Sequence, residues 1–217
     1  MAQSPDSAWQ AKARHIIDEA CERLWSPEGH RAWGYLVWER GLSEETIRLA
    51  QLGYLPGAPT AWLKIDGLNV PCGIVIPWIV GDDVWGIKVP RAASERQQYS
   101  RLPVSDGSHS ARTPRIITEG EFDALIALQV GSDFARAAAI GSASHARIDR
   151  RWYGALLGVP RVIVCMDAAA AGAAAAAQIA ALSGAVKCAR VPSGKDLNEF
   201  YQQAGENTVK EWLQTVI

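Results

Sequence analysis

Residues 115–130 read RIITEGEFDALIALQV, and this stretch decides the fold class that the sequence predicts. The short segment from Arg115 to Thr118, with Ile116 and Ile117 at its centre, is typical of a strand, and the residues from Glu121 to Val130 are typical of a helix. Only Glu119 and Gly120 separate the two, so the chain must turn sharply between them. A strand followed this closely by a helix indicates one βα unit of a parallel sheet.

The same alternation continues toward the C-terminus. Further strands are predicted at 137–140, 161–166 and 186–191, and further helices at 170–182 and from Leu197 onward. The alternation predicts an α/β domain whose parallel sheet carries helices on both faces. In such a sheet the loops that follow the strands meet at one edge, and ligands bind there.

Acidic residues stand where these strands end. Glu119 follows the first strand, with Asp123 just inside the next helix, Asp167 follows the central strand, and Asp196 lies after the last one. Any one of these acids can be explained as a helix N-cap or a solvated loop charge. Three carboxylates from three strand ends repel one another unless a hard cation neutralises them. Oxygen ligands suit Mg²⁺ or Mn²⁺, so the pattern favours a metal site that supports phosphoryl transfer.

The N-terminal half, residues 1–110, differs in composition from the rest and holds seven of the nine tryptophans. Its sequence predicts three helices and then a β-hairpin with strands at 73–80 and 84–89. The helices are indicated by the spacing of Ile16, Ile17, Ala20 and Leu24, by residues 32–38 and by a cap at Ser43. A polar, turn-forming stretch at 105–114 marks the predicted boundary with a second domain, residues 111–217.

Composition narrows the classes of protein. The formal net charge of −1 gives no global attraction to a polyanion, so nucleic-acid binding would need a local basic patch. The four cysteines form no Cys-x-x-Cys pair, which argues against a zinc ribbon. Because neither a long apolar run nor a signal-peptide pattern is present, we expect a cytoplasmic protein with no membrane partner.

Four segments resemble the successive Toprim motifs of DnaG-type primases: 118–128, 140–143, 162–172 and 192–198. Upstream, residues 41–54 resemble the helical segment that opens a primase core, and the hairpin that ends at 86–91 resembles the strands before its nucleotide-handling ridge. The resemblance spans roughly residues 35 to 205. It implies a Toprim domain preceded by a smaller α+β subdomain.

The resemblance also implies roles for individual residues. Glu119 would bind metal or act as a base with Asp123 in support, and Asp167 would be both catalytic and a metal ligand. Asp196 falls on an acidic position of the last motif and would be a further ligand. Template or nucleotide phosphates would be contacted by a set of basic residues, namely Lys88, Arg91, Arg96 and Arg101.

The activity that the resemblance implies is that of a DNA primase. Such an enzyme is a DNA-directed RNA polymerase that makes short primers from NTPs on single-stranded DNA during replication, with Mg²⁺ or Mn²⁺. The sequence contains neither the zinc-binding nor the helicase-contacting module of DnaG-type chains. It would therefore be a fragment, a phage or mobile-element primase-like protein, or a core that works with a helicase or zinc-binding module on another chain.

Three positions depart from the family pattern. Ala169 stands where the second aspartate of an Asp-x-Asp motif is expected. Either the chain is a variant in which this aspartate was replaced, or its lineage has lost the ligand. Asn198 replaces a further acid, and Gln98 replaces a lysine before Tyr99. The missing aspartate keeps open a degenerate Toprim module that binds nucleic acid without catalysis. A Toprim nuclease is a further alternative, because the same metal crevice can activate water. A topoisomerase is disfavoured because no candidate context for a tyrosine nucleophile is evident.

Overall fold

The structure is a computed structural model that describes residues 5–90, 112–141 and 153–217. Its described residues fall into two compact units, an N-terminal unit up to residue 90 and a C-terminal unit from residue 112 onward. The predicted domain boundary at 105–114 lies almost entirely outside the described residues and stays a prediction. Within the described part of the chain, no helix has the length and apolarity needed to cross a membrane.

The N-terminal unit begins with helices whose starts are set by side-chain caps. Asp6 caps α1, Ser7–Leu24, by accepting a hydrogen bond from the Trp9 N–H at 2.9 Å. A 3₁₀ turn, α2 at His30–Gly34 and a π-helical turn follow. Ser43 then caps α3, Glu44–Leu49, as the sequence predicts. The four apolar positions predicted for the first helix are all buried: Ile16, Ile17, Ala20 and Leu24.

The strands of this unit form two antiparallel arrangements. Their bounds are β1 Gly53–Leu55, β2 Trp62–Ile65, β3 Leu68–Pro71, β4 Gly73–Val80 and β5 Asp83–Lys88. The sheet has the order β1-β4-β5, and β2 pairs with β3 alone. The predicted hairpin is β4–β5 and is confirmed, whereas β1, β2 and β3 were not predicted. The buried face of α1 packs on this unit's strands through Ile16 and Ala20.

The C-terminal unit alternates strands and helices as the sequence predicts. Its elements are β6 Arg115–Thr118, α4 Glu121–Gly131, β7 Arg136–Ala139, α5 Tyr153–Leu157, β8 Val162–Cys165, α6 Ala170–Ala180, β9 Val186–Cys188, α7 Leu197–Ala204 and α8 Glu206–Val216. The sheet is fully parallel and has the order β7-β6-β8-β9. Every residue of β6 and β8 is buried, so both central strands are covered on their two faces.

The strand order also determines where the helices lie. From β6 the chain crosses through α4 to β7 on one side, and from β8 it crosses through α6 to β9 on the other side. Parallel crossovers are right-handed, so crossovers in opposite directions place α4 and α6 on opposite faces of the sheet. The reversal between β6 and β8 is the point at which open α/β sheets form a crevice beyond the carboxyl ends of their strands.

Candidate metal centre

The predicted acidic residues lie at the carboxyl edge of the parallel sheet. Thr118 and Cys165 are register partners at the ends of β6 and β8, so Glu119 and Asp167 leave the sheet on the same side. The Ala168 N–H donates to the Lys195 carbonyl at 2.8 Å and ties the loop after β9 to the loop after β8. The structure therefore brings the three strand ends together, as the parallel topology predicts.

Three aspartates form a compact cluster at this edge. Carboxylate oxygens of Asp123, Asp167 and Asp196 lie within 4.8 Å of one another, which is within reach of a common cation. Asp123 is only 7% exposed, whereas Asp167 and Asp196 are partly exposed. The cluster differs in one member from the predicted ligand set, because it contains Asp123 and does not contain Glu119. Glu119 nevertheless acts electrostatically on Asp167, so it lies beside the cluster.

Backbone N–H groups hold two of these carboxylates in place. The Asn198 N–H donates to Asp123 Oδ1 at 2.9 Å, and the Glu199 N–H donates to Asp196 Oδ1 at 2.7 Å. Asp196 is thus the N-cap of α7, which was the alternative interpretation of an acid at this position. A carboxylate has two oxygens, so capping through Oδ1 is compatible with ligation through Oδ2. The start of α7 therefore positions the buried Asp123 and the partly exposed Asp196 together.

Burial and mutual repulsion make the cluster retain protons. The pKa of Asp123 is raised to about 7, first by burial and then by the charges of Asp196 and Asp167, against the backbone N–H groups that lower it. The pKa of Asp167 is raised to about 6, first by burial and then by Glu119 and Asp196, with Lys195 opposing the shift. A divalent cation would remove the repulsion, so the donor set fits Mg²⁺ or Mn²⁺.

Cys165 ends β8, two residues before Asp167, and lies near enough to the cluster for the aspartate charges to act on its thiol. Burial is the main cause that raises the pKa of its thiol to about 12, and the three aspartate charges add to it. The thiol is therefore neutral and unreactive, in agreement with the prediction that Cys165 is a small buried apolar residue.

Ala169 occupies the N-cap position of α6. Its backbone is extended, with φ −71° and ψ 159°, and no side-chain hydrogen bond caps the helix. The residue is exposed and lies two positions after Asp167. The resemblance implies a second aspartate at this position. The same position is the N-cap of α6, and alanine has no side-chain group that could cap the helix.

Gly172 allows the first turn of α6 to approach Asp167. A Cβ at position 172 would lie 2.2 Å from the Asp167 carbonyl oxygen, which is backbone and cannot rotate away. We expect Gly172→Ala to lower the free energy of unfolding by about 2–3 kcal/mol and to shift Asp167 away from the cluster. Gly184→Ala is the control because nothing lies within 4 Å of that Cβ, and a thermal melt with and without Mn²⁺ compares the two. Equal melting temperatures in the two variants would contradict the close approach.

Of the predicted basic residues, the structure describes one. Lys88 ends β5 in the N-terminal unit and is the register partner of Ile76. Arg91, Arg96 and Arg101 lie outside the described residues, as does Gln98. The predicted strip for template or nucleotide phosphates therefore stays a prediction.

Comparisons with known proteins agree with this architecture. Residues 116–201 match the family model described as Toprim-like. No curated protein matches the sequence. The fold is similar to that of the RNA polymerase domain of Mycobacterium tuberculosis primase DnaG in complex with a double-stranded DNA oligomer with a 6-nucleotide overhang, with 16% identity and a TM-score of 0.70 over 98% of this chain and 81% of that one.

Two further solved structures share the fold. One is the DnaG primase catalytic domain bound to ssDNA, at 18% identity and a TM-score of 0.64, over 95% of this chain and 80% of that one. The other is the primase fragment of the bacteriophage T7 primase-helicase protein, at 21% identity and a TM-score of 0.58, over 81% and 72%. The resemblance and the fold class drawn from the sequence are confirmed: the C-terminal unit contains a Toprim-like domain, and the chain has the fold of DnaG primase catalytic cores.

Proposed function

We propose that this chain is a primase-type nucleotidyltransferase core that makes short RNA primers on single-stranded DNA with Mg²⁺ or Mn²⁺. The observation that supports the proposal most directly is the cluster of Asp123, Asp167 and Asp196 at the carboxyl edge of a Toprim-like sheet. In an α/β sheet this is where a ligand binds, and the raised pKa values of Asp123 and Asp167 mark buried, mutually repelling carboxylates that a divalent cation would stabilise.

The roles of the acidic residues follow from their positions. Asp123, Asp167 and Asp196 would hold the cation, which supplies positive charge against the phosphate under attack. Glu119 lies outside this ligand group but beside Asp167, so we assign it the second of its two predicted roles, that of a base. Its carboxylate would accept the proton from the attacking 3′-hydroxyl group.

The nucleic-acid contacts belong to the proposal as well. The chain has almost no net charge, so the template must be held by a local patch, for which Lys88, Arg91, Arg96 and Arg101 are the candidates. A similar DnaG domain was solved with ssDNA bound, and a T7 fragment of similar fold comes from a primase-helicase protein. We extend these two properties to this chain as a proposal: it binds single-stranded DNA and works beside a helicase. A zinc-binding module on another chain is a further partner that the sequence resemblance implies.

A non-catalytic nucleic-acid-binding module is the second candidate. The observation that favours it is Ala169, an exposed alanine that offers no ligand where the family pattern has an aspartate. Fewer carboxylates mean weaker binding of a divalent cation. A module of this kind would bind single-stranded DNA and leave NTPs unreacted.

The test is synthesis from labelled NTPs on single-stranded DNA with Mg²⁺ or Mn²⁺. We expect short products from the unaltered chain and none from Asp167→Asn, because that variant loses a charged ligand of the cluster. Glu211→Gln is the control, since it removes an exposed acid from α8 and should leave the products unchanged. DNA binding without products would favour the module, and metal-dependent cleavage of the DNA would favour the nuclease.

A further inference from the structure

Lys195 places a positive charge beside the acidic cluster. It precedes Asp196 in the loop between β9 and α7, and its Nζ lies 3.9 Å from Asp196 Oδ2. Its charge also lowers the pKa of Asp167, so it acts on a second member of the cluster. The side chain is 71% exposed, and an ion pair this long and this exposed contributes little to stability.

The backbone of Lys195 is fixed although its side chain is exposed. The Lys195 N–H donates to Glu199 Oε2 at 2.9 Å, and its carbonyl accepts from the Ala168 N–H at 2.8 Å. These bonds hold the Cα at the rim of the cluster from two sides. The long, flexible side chain can therefore leave Asp196 for another partner without any change in the loop.

Arg190 is a second cation at the same rim. It is exposed, follows β9 and directs its Nη2 at the Ala168 carbonyl at 3.5 Å. The loop from Asp167 to Ala169 thus contributes one aspartate to the acidic cluster and is contacted by the two basic residues, Lys195 through its backbone and Arg190 through its side chain. A divalent cation bound by the aspartates offsets part of their charge and weakens the attraction of both basic residues to the cluster, so an anion bound beside the cation becomes a favourable partner for them.

We propose that Lys195, with Arg190 beside it, binds the triphosphate of the incoming nucleotide next to the cation site. Without ligands, Lys195 faces Asp196. When the cation and the triphosphate are bound, its ammonium group donates to a non-bridging phosphate oxygen and offsets charge that the cation leaves uncompensated. This inference rests on the proposed function, in which a nucleoside triphosphate is the substrate.

The inference predicts effects of opposite sign for one substitution. Lys195→Met keeps most of the side-chain length and removes the charge, so Mn²⁺ alone should bind a few-fold more tightly. Inorganic triphosphate in the presence of Mg²⁺ should bind at least roughly tenfold more weakly, because a charge-assisted hydrogen bond is lost. Lys195→Arg should keep triphosphate binding. Mn²⁺ is followed by electron paramagnetic resonance and triphosphate by calorimetry.

Lys187→Met is the matched control, since Lys187 is an exposed lysine on β9 of the same sheet. Unchanged triphosphate affinity in Lys195→Met would overturn the inference. Weaker binding of both Mn²⁺ and triphosphate in Lys195→Met would also overturn it, because the loss of a residue that only supports the local structure would weaken both. If the two affinities shift in opposite directions but the unaltered chain makes no primers, the phosphate site is supported and the proposed function is refuted. If the unaltered chain makes primers but Lys195→Met binds triphosphate normally, the proposed function is supported and the phosphate site is refuted. Should Lys195→Met not fold, Lys195→Gln tests the same charge.

Discussion

Without divalent metal, the C-terminal unit should lose stability as the pH rises from about 5 to about 8, and Mg²⁺ or Mn²⁺ should restore it at the upper end. The pKa values of Asp123 and Asp167 are raised to about 7 and about 6, so the folded state retains protons that the unfolded chain releases near pH 4. The stability that these retained protons contribute is complete below the pKa of the unfolded chain, and it is lost as the pH rises through the pKa values of the folded state. Each pH unit between the unfolded and the folded pKa equals about 1.4 kcal/mol, so from pH 5 to pH 7 Asp123 alone accounts for about 3 kcal/mol, or roughly 10 °C in Tm.

Asp123→Asn tests the cause of this pH dependence. The amide has no charge to bury, so the variant should have a flatter Tm profile across this range and a higher metal-free Tm at the alkaline end. Asp133→Asn is the control, because Asp133 is an exposed acid that pairs with Lys210 at 3.0 Å and its pKa is lowered. It should leave the slope between about pH 5 and pH 8 unchanged. A metal-free Tm that increases over this range would show that the cluster is not a source of repulsion.

The C-terminal topology was predictable because its signals are local. The central strands are short segments with β-branched apolar residues, each followed at once by a turn and a helix, and the parallel arrangement follows from that alternation. It also follows that acids after these strands meet at one edge. For this reason, Glu119, Asp167 and Asp196 could be placed at one edge from the sequence alone.

The membership of the cluster was not predictable in the same way. Glu119 and Asp123 are four residues apart, and the sequence does not say which of them faces the other aspartates. That choice depends on a contact 75 residues away along the chain, where the start of α7 donates the Asn198 N–H to Asp123. The position of Lys195 near Asp167 likewise depends on the tertiary hydrogen bond between Ala168 and Lys195. Contacts of this kind leave no pattern in one sequence.

The short strands of the N-terminal unit were missed for a different reason. β2 and β3 have four residues each, and β2 is largely exposed, so its apolar pattern is weak. A turn signal was present, since Asp66 and Gly67 adopt φ values of 49° and 81°, both positive as a type I′ hairpin turn requires. An Asp-Gly pair between two short runs was therefore the only local indication of this hairpin.

Ala169→Asp should restore a ligand and a helix cap at once, and the two effects can be separated. The residue is the N-cap of α6 and lacks a capping side chain, so aspartate and asparagine should each stabilise the helix by about 1 kcal/mol. Only aspartate adds a charge two residues from Asp167. In the presence of metal we expect Ala169→Asp to bind Mn²⁺ on the order of tenfold more tightly than Ala169→Asn and to give more primer product.

Without metal the order of the two variants should reverse. A further carboxylate beside Asp167 adds repulsion that asparagine does not, so at about pH 8 Ala169→Asp should melt below Ala169→Asn in chelator and above it in Mn²⁺. The comparison cancels the capping effect, because both side chains accept the same backbone hydrogen bond. An equal metal-induced rise in Tm in the two variants would mean that position 169 does not face the cation, and the alanine would then have no bearing on whether this chain is active.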